Sequence, residues 1–216
     1  MDAEVIASSA APAQHGGASQ ASGIAGRASA DEALRDLAAL WGQPLSSDHP
    51  CAEASKLGLR CHQGRGGLYE LRLLDRPAML ALHDGAAPVS YVLLTGLTDT
   101  TATLNAAGKR IEIGVAALAA RFDGEFTTFW KIAPQYREQI NLRDHGADVD
   151  WLSAHLAQLN GKSAPAPGQP LERDLLRSFQ TAQNLKTDGV AGPRTYMRLN
   201  QLGGVAEPRL LAKAGK

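Results

Sequence analysis

Between Leu68 and Ile132 the segments LYELRLL, AMLALH, VSYVLLT, TTATLN, KRIEI and EFTTFWKI follow one another, with Arg76-Pro77, Asp84-Gly85 and Ala107-Gly108 at the breaks. Short apolar runs bounded by such turn formers read as strands, and their close spacing demands an antiparallel meander rather than parallel crossovers. GVAALAARF reads as a short helix before the last strand. Upstream, Leu34, Leu37, Ala38 and Trp41 recur at helical spacing behind Ser29 and Glu32, which have the spacing of a capping box, and Gly42 is a natural stop. Pro50 to Leu57, closed by Gly58, predicts a second helix. Helices first and strands after predict an α+β domain over residues 30–137.

A different pattern follows. Val149, Leu152, Leu156 and Leu159 fall on one helical face of residues 148–160, and Leu171, Leu175, Leu176 and Phe179 do so in 171–185. The Pro/Gly-rich stretch GKSAPAPGQP joins them, and a third helix is predicted from Pro193 to Leu202, before Gly203-Gly204. This gives a three-helix domain at 142–204, followed by a tail at 205–216. Residues 1–29 lack Leu and aromatic side chains and read as a flexible linker.

Lys+Arg and Asp+Glu both number 22, so no global field draws the chain to nucleic acid or to an anionic membrane. Apolar runs such as Ala78 to Leu82 are far shorter than the roughly 20 residues of a membrane helix. The start MDAEVIASSAAPAQ has neither the basic nor the Leu-rich region of a signal peptide, so either the protein is cytoplasmic or an export element lies upstream.

The third helix and its approach, FQTAQNLKTDGVAGPRTYMRLN, carry the most specific motif. Asp188-Gly189 suits a positive φ, and Gly192-Pro193 leads into a helix bearing Thr195 in its first turn. The F-Q and D-G-x-x-G-x-x-T-x-x-x-L spacing resembles the peptidoglycan-binding module of bacterial cell-wall and envelope proteins. On that resemblance Asp188, Gly189, Gly192 and Thr195 shape the loop, and Gly192→Val should distort it. Gln180, Arg194, Tyr196 and Arg198 are the contact candidates, since amides, guanidinium groups and an aromatic face suit a glycan with carboxylate-bearing stem peptides. The module's usual first-half loop is replaced here by SAPAPGQP.

Cys51 follows Pro50 at the expected start of a helix, eight residues after Gln43. A thiol protease needs such a Cys, a His as base and an Asp or Asn to orient it. The order resembles the papain-like bacteriocin-processing peptidases, in which the His precedes an aromatic residue on a strand. Ser90-Tyr91 stands at that position, and Asn105 at the orienting one, so the fold is expected to be papain-like but degenerate, with Gln43, Cys51, Ser90 and Asn105 vestigial. Cys51 and Cys61 either bridge, in an oxidising compartment, or lie reduced and buried in the cytoplasm. No metal-ligand spacing and no cofactor motif are present.

Taken together, the helix ending in Trp41, Cys51-x-x-Ala54, Gly58-Leu59-x-Cys61, the run from Leu68 to Ala78, the Tyr91 strand, Phe122-x-Gly124-x-Phe126-x-x-x-Trp130 and the C-terminal module resemble the periplasmic part of the general secretion pathway protein A family. The resemblance implies a periplasmic, non-catalytic module of type II secretion that binds peptidoglycan. It further implies a partner, general secretion pathway protein B, and a role in assembling the secretin through the cell wall. An AAA+ ATPase and one membrane span are implied upstream, and homo-oligomerisation is left open. Peptidoglycan lies outside the cytoplasmic membrane, which favours the Cys51–Cys61 disulfide. The rival from another class is a cell-wall-targeted cysteine peptidase or amidase using Cys51.

Overall fold

The computed structural model of the protein describes residues 24–133 and 136–211. Most of the expected linker therefore lies outside the described residues, as does the end of the expected tail. One six-stranded antiparallel sheet organises the chain. Its strands are β1 (Leu59–Arg65), β2 (Ala78–Leu82), β3 (Ser90–Leu97), β4 (Thr101–Ala106), β5 (Lys109–Gly114) and β6 (Phe122–Lys131), in the spatial order β1-β6-β2-β3-β4-β5. Consecutive strands β2 to β5 form the expected meander, and β6 returns between β1 and β2.

The pleat sorts side chains onto two faces. One face presents Leu59, Met79, Leu93 and Phe129 to α1 (Ala30–Ala39) and α2 (Pro50–Lys56), where Leu34, Leu37, Ala38 and Trp41 complete a core cluster. Cys51 on α2 reaches Cys61 on this face and forms a disulfide, with the two Cα atoms 5.5 Å apart. The other face presents Leu80, Leu82, Val92, Leu94, Phe126 and Trp130. Beneath it pack α3 (Leu68–Leu74), α4 (Val115–Ala119) and three longer helices, α5 (Ala147–Leu159), α6 (Arg173–Ala182) and α7 (Pro193–Leu202), whose Val149, Leu152, Leu176, Phe179 and Met197 belong to the same continuous core.

Several expectations are corrected. LYELRLL is the helix α3, not a strand: Leu68, Leu71 and Leu74 recur at i, i+3 and i+6, which puts them on one helical face, and Leu71 and Leu74 are buried. LRCHQGR, outside the segments expected as strands, forms β1 at the sheet edge, where the pattern turns toward alternation after Gly58. Ser29 occupies the N-cap of α1 but makes no side-chain cap, so the capping box does not form. Order also begins earlier than Ser29. Ile24 is buried, and Arg27 bridges to Tyr91 in the lane that β4 leaves beyond its end. The residues expected as a tail are docked as well: Leu210 is buried, Leu97 N–H donates to its carbonyl at 3.2 Å, and Asp75 accepts from the Leu211 N–H at 2.7 Å.

The two expected units are joined by more than their linker. Arg76, in the turn between α3 and β2, is buried, and it donates to the Leu74 carbonyl at 2.6 Å and to the Met197 carbonyl of α7 at 2.7 Å. Its charge is met by Glu207, and both side chains are fully enclosed. Burial lowers the Arg76 pKa, and Glu207 opposes that shift. Trp130 of β6 stacks on Tyr196 of α7 with ring centroids 6.1 Å apart.

The disulfide closes a short loop over α2, and the chain-entropy model values such a loop at roughly 2 to 3 kcal/mol. Reduction of the chain is therefore expected to lower its unfolding free energy by that amount, read as a lower urea midpoint, and the Cys51→Ala, Cys61→Ala double variant should match the reduced protein. Equal midpoints for oxidised and reduced chains would contradict this.

Candidate binding site

The loop entering α7 is built by Gln180. This buried amide uses both ends: its Oε1 accepts from the Gly189 N–H at 3.0 Å, and its Nε2 donates to Asp188 Oδ1 and to the Val190 carbonyl, each at 3.1 Å. Asp188 Oδ1 also accepts from the Val190 N–H at 3.0 Å, and Lys186 lies 3.4 Å from Oδ2. Burial by itself would raise the Asp188 carboxyl, but these donors together hold it below its ordinary value. Gly189 sits at φ 77°, where a side chain is strained, and a Cβ there would come within 3.0 Å of Leu142. Gly192 differs. Its φ is −99° and a Cβ would meet open space, so the expectation that Gly192→Val distorts the loop is corrected.

Beside this loop lies a cavity of about 250 Å³, lined among others by Asp188, Pro193 and Arg194 from the helical unit and by His62 from β1. The Arg194 side chain is 47% exposed at its rim and pairs with Glu70 of α3. Of the other contact candidates, Gln180 lines the cavity as the brace of the loop. Tyr196 is buried among Trp130, Tyr136 and Trp151, and burial raises its pKa, so it is scaffold rather than contact surface. Arg198 is turned to Gln183 and Gln201, each at 2.8 Å. Thr195 is buried in the first turn of α7.

The sequence motifs mark neither His62, in the cavity wall, nor Glu70, which meets Arg194 at its rim. The alternation along β1 carries the signal for His62: Cys61 faces α2, so His62 must face the helical unit. Its imidazole pKa is pulled down to about 4, by burial first and then by the Arg194 and Arg76 charges. The unfolded chain takes up this proton near 6.5 and the folded chain resists it down to about 4. The stabilising contribution is thus full above pH 6.5 and is lost as pH falls toward 4. Between pH 7 and pH 4 the wild-type chain is expected to lose about 2 kcal/mol more than His62→Gln, after a discount for partial exposure. Parallel stability–pH curves for the two proteins would refute this.

The four residues expected to be vestigial, Gln43, Cys51, Ser90 and Asn105, are each engaged elsewhere in the fold. Cys51 is in the disulfide. Ser90 shares the face of its partner Leu82, opposite that of Cys61. Its hydroxyl accepts from the Gly26 N–H at 2.7 Å and donates to the Ile24 carbonyl at 3.1 Å. Asn105 Oδ1 accepts from the Gly108 N–H at 2.8 Å and closes the β4–β5 turn. Gln43 lies after α1, its N–H donating to the Ala38 carbonyl. A larger hollow of about 430 Å³ opens on the α1 face over Met79, Ala81, Tyr91 and Glu125, and none of the four lines it. Among the described residues no group of three or more His, Cys, Asp or Glu side chains could hold a metal ion, and no helix is long and apolar enough to cross a membrane.

No protein-family model matches the chain. It is 28% identical over 187 residues to general secretion pathway protein A of Aeromonas hydrophila, covering 83% of this chain and 34% of that protein. It is 26% identical over 176 residues to the putative general secretion pathway protein A of Escherichia coli, covering 80% of this chain and 36% of that protein. The chain thus spans about a third of the length of these relatives. Among solved structures it is similar to a periplasmic domain of the EpsAB fusion protein of the Vibrio vulnificus type II secretion system. That match has a TM-score of 0.59 and 25% identity, and covers 86% of this chain and 83% of that one. The fold and these matches define the class: an α+β module similar to parts of secretion-pathway proteins. Within that class the likeness is to general secretion pathway protein A, and the resemblance read from Trp41, Cys51, Cys61 and Trp130 extends over four-fifths of the chain.

Proposed function

We propose that this chain is the periplasmic, non-catalytic part of a type II secretion assembly factor that binds peptidoglycan at the cavity beside Asp188 and Arg194. The carrying observation is that cavity: a rigid, Gln180-braced loop with a half-exposed guanidinium at its rim, in a chain similar to general secretion pathway protein A. A guanidinium that presents several N–H donors in one plane matches the carboxylates of stem peptides. The disulfide at Cys51 and the hydroxyl of Ser90, committed to the chain's own N-terminal segment, support a module without acyl-transfer chemistry. The name of the Vibrio vulnificus EpsAB fusion supports a partner of the general secretion pathway protein B type. With that partner the module helps the secretin to assemble through the cell wall, anchored by an inner-membrane segment of the longer protein.

The test is co-sedimentation of the whole chain with purified sacculi. Wild type is expected in the pellet, and Arg194→Gln, which removes the charge without setting a second carboxylate against Glu70, is expected to bind several-fold more weakly while remaining folded. A folded wild-type chain that stays in the supernatant would overturn the reading. Substrate turnover that disappears in Cys51→Ala would overturn its non-catalytic part.

A further inference from the structure

We infer that Glu70 holds the position on Arg194 that a ligand carboxylate takes, so that binding at this cavity is an exchange of carboxylates selective for stem peptides with a free carboxylate. The inference rests on the peptidoglycan reading above and assigns the chemistry of recognition within it. Among the described residues Glu70 is the acceptor on the Arg194 guanidinium, and it comes from the sheet unit, whereas Arg194 comes from the helical one. The two partners are not equally free. Glu70 is only 14% exposed, and its Cβ and Cγ lie against Gly66, where even a methyl group would come within 2.9 Å. Arg194 is a long side chain, 47% exposed, at the opening of the cavity. The guanidinium is therefore the partner able to turn toward a ligand, and Glu70 is fixed where it can receive it back.

The other polar groups of the cavity leave the guanidinium as the carboxylate receptor. Both ends of the Gln180 amide are spent on the loop, Lys186 is drawn to Asp188, Gln139 is an uncharged amide and Thr195 is a buried hydroxyl. His62 stands neutral in its wall and adds no cation. An uncharged amide in place of the ligand carboxylate offers the guanidinium a carbonyl acceptor but no charge, so it competes with Glu70 far more weakly, which is the source of the selectivity. Glu70 is accordingly a specificity-determining residue that acts through Arg194.

The experiment is calorimetric titration of the whole chain with a muropeptide bearing free stem carboxylates and with its amidated form. Glu70→Gln removes the competing charge and is expected to bind the carboxylate form about two- to fivefold more tightly than wild type, the range released by a partly exposed pair, with the amidated form unchanged. Arg194→Gln is expected to bind the two forms alike. Near-ultraviolet circular dichroism reports whether each variant is folded, and Glu70→Ala serves as the second variant with the same expected gain. Weaker or equal binding of the carboxylate form by folded Glu70→Gln and Glu70→Ala overturns the exchange while leaving sacculus binding in place. Absence of sacculus binding by wild type overturns the underlying reading and the exchange together.

Discussion

Glu207→Ala is expected to destabilise the chain by about 3 to 5 kcal/mol. The reason is the charge it leaves behind. The Arg76 and Glu207 side chains are both fully enclosed, and removing the carboxylate leaves a buried guanidinium without its counter-ion. Replacing both partners by apolar residues, as in Arg76→Leu, Glu207→Leu, should recover part of the loss. The recovery stays incomplete because the Leu74 and Met197 carbonyls lose their donor. Urea unfolding of the single and double variants measures this, and a loss below about 1 kcal/mol for Glu207→Ala would show that the pair is not desolvated as described. The same contacts tie residues 142–204 to the sheet unit. Excising them removes Glu207 and exposes the faces of Tyr196 and Met197 that rest against the sheet unit.

Gly189→Val is expected to cost about 3 kcal/mol, lowering the melting temperature of a chain this size by roughly 6 to 12 °C. Two causes add: a β-branched residue is forced to φ 77°, and its Cβ lands 3.0 Å from Leu142. Gly192→Val, three residues on, meets neither obstacle and should shift the melting temperature little. Thermal denaturation of the pair separates them, and equal losses would contradict the loop geometry.

The order of elements, two helices, a meander and three helices, was legible because each follows from local periodicity. The failures are local too. In α3 the leucines satisfy a helical repeat and also partly alternate, so a seven-residue window does not decide between the two, and burial against the sheet does. β1 carries polar residues because it is an edge strand whose covering helix reaches only its first half. The D-G-x-x-G-x-x-T motif located the loop, but not its energetics. Gln180, read as a contact, is the brace that makes the loop rigid. Arg76 meets Glu207 across 131 residues and Arg194 meets Glu70 across 124, and no periodicity records such pairings.

The two ends of the described chain are fastened to the same strand. Arg27 bridges to Tyr91 at the start of β3, and Leu210 takes the Leu97 N–H at its end. A pull applied between the two flanks of the module therefore loads β3 lengthwise, over roughly 20 Å at the rise of an extended strand, instead of prying the sheet unit from the helical one. Under such a load the module is expected to behave as a short, stiff link, held by hydrogen bonds in shear and by the Asp75 and Glu207 contacts of its C-terminal end. Single-molecule stretching from residues 24 and 211 should accordingly give one rupture event, and two separated events, one per unit, would contradict it.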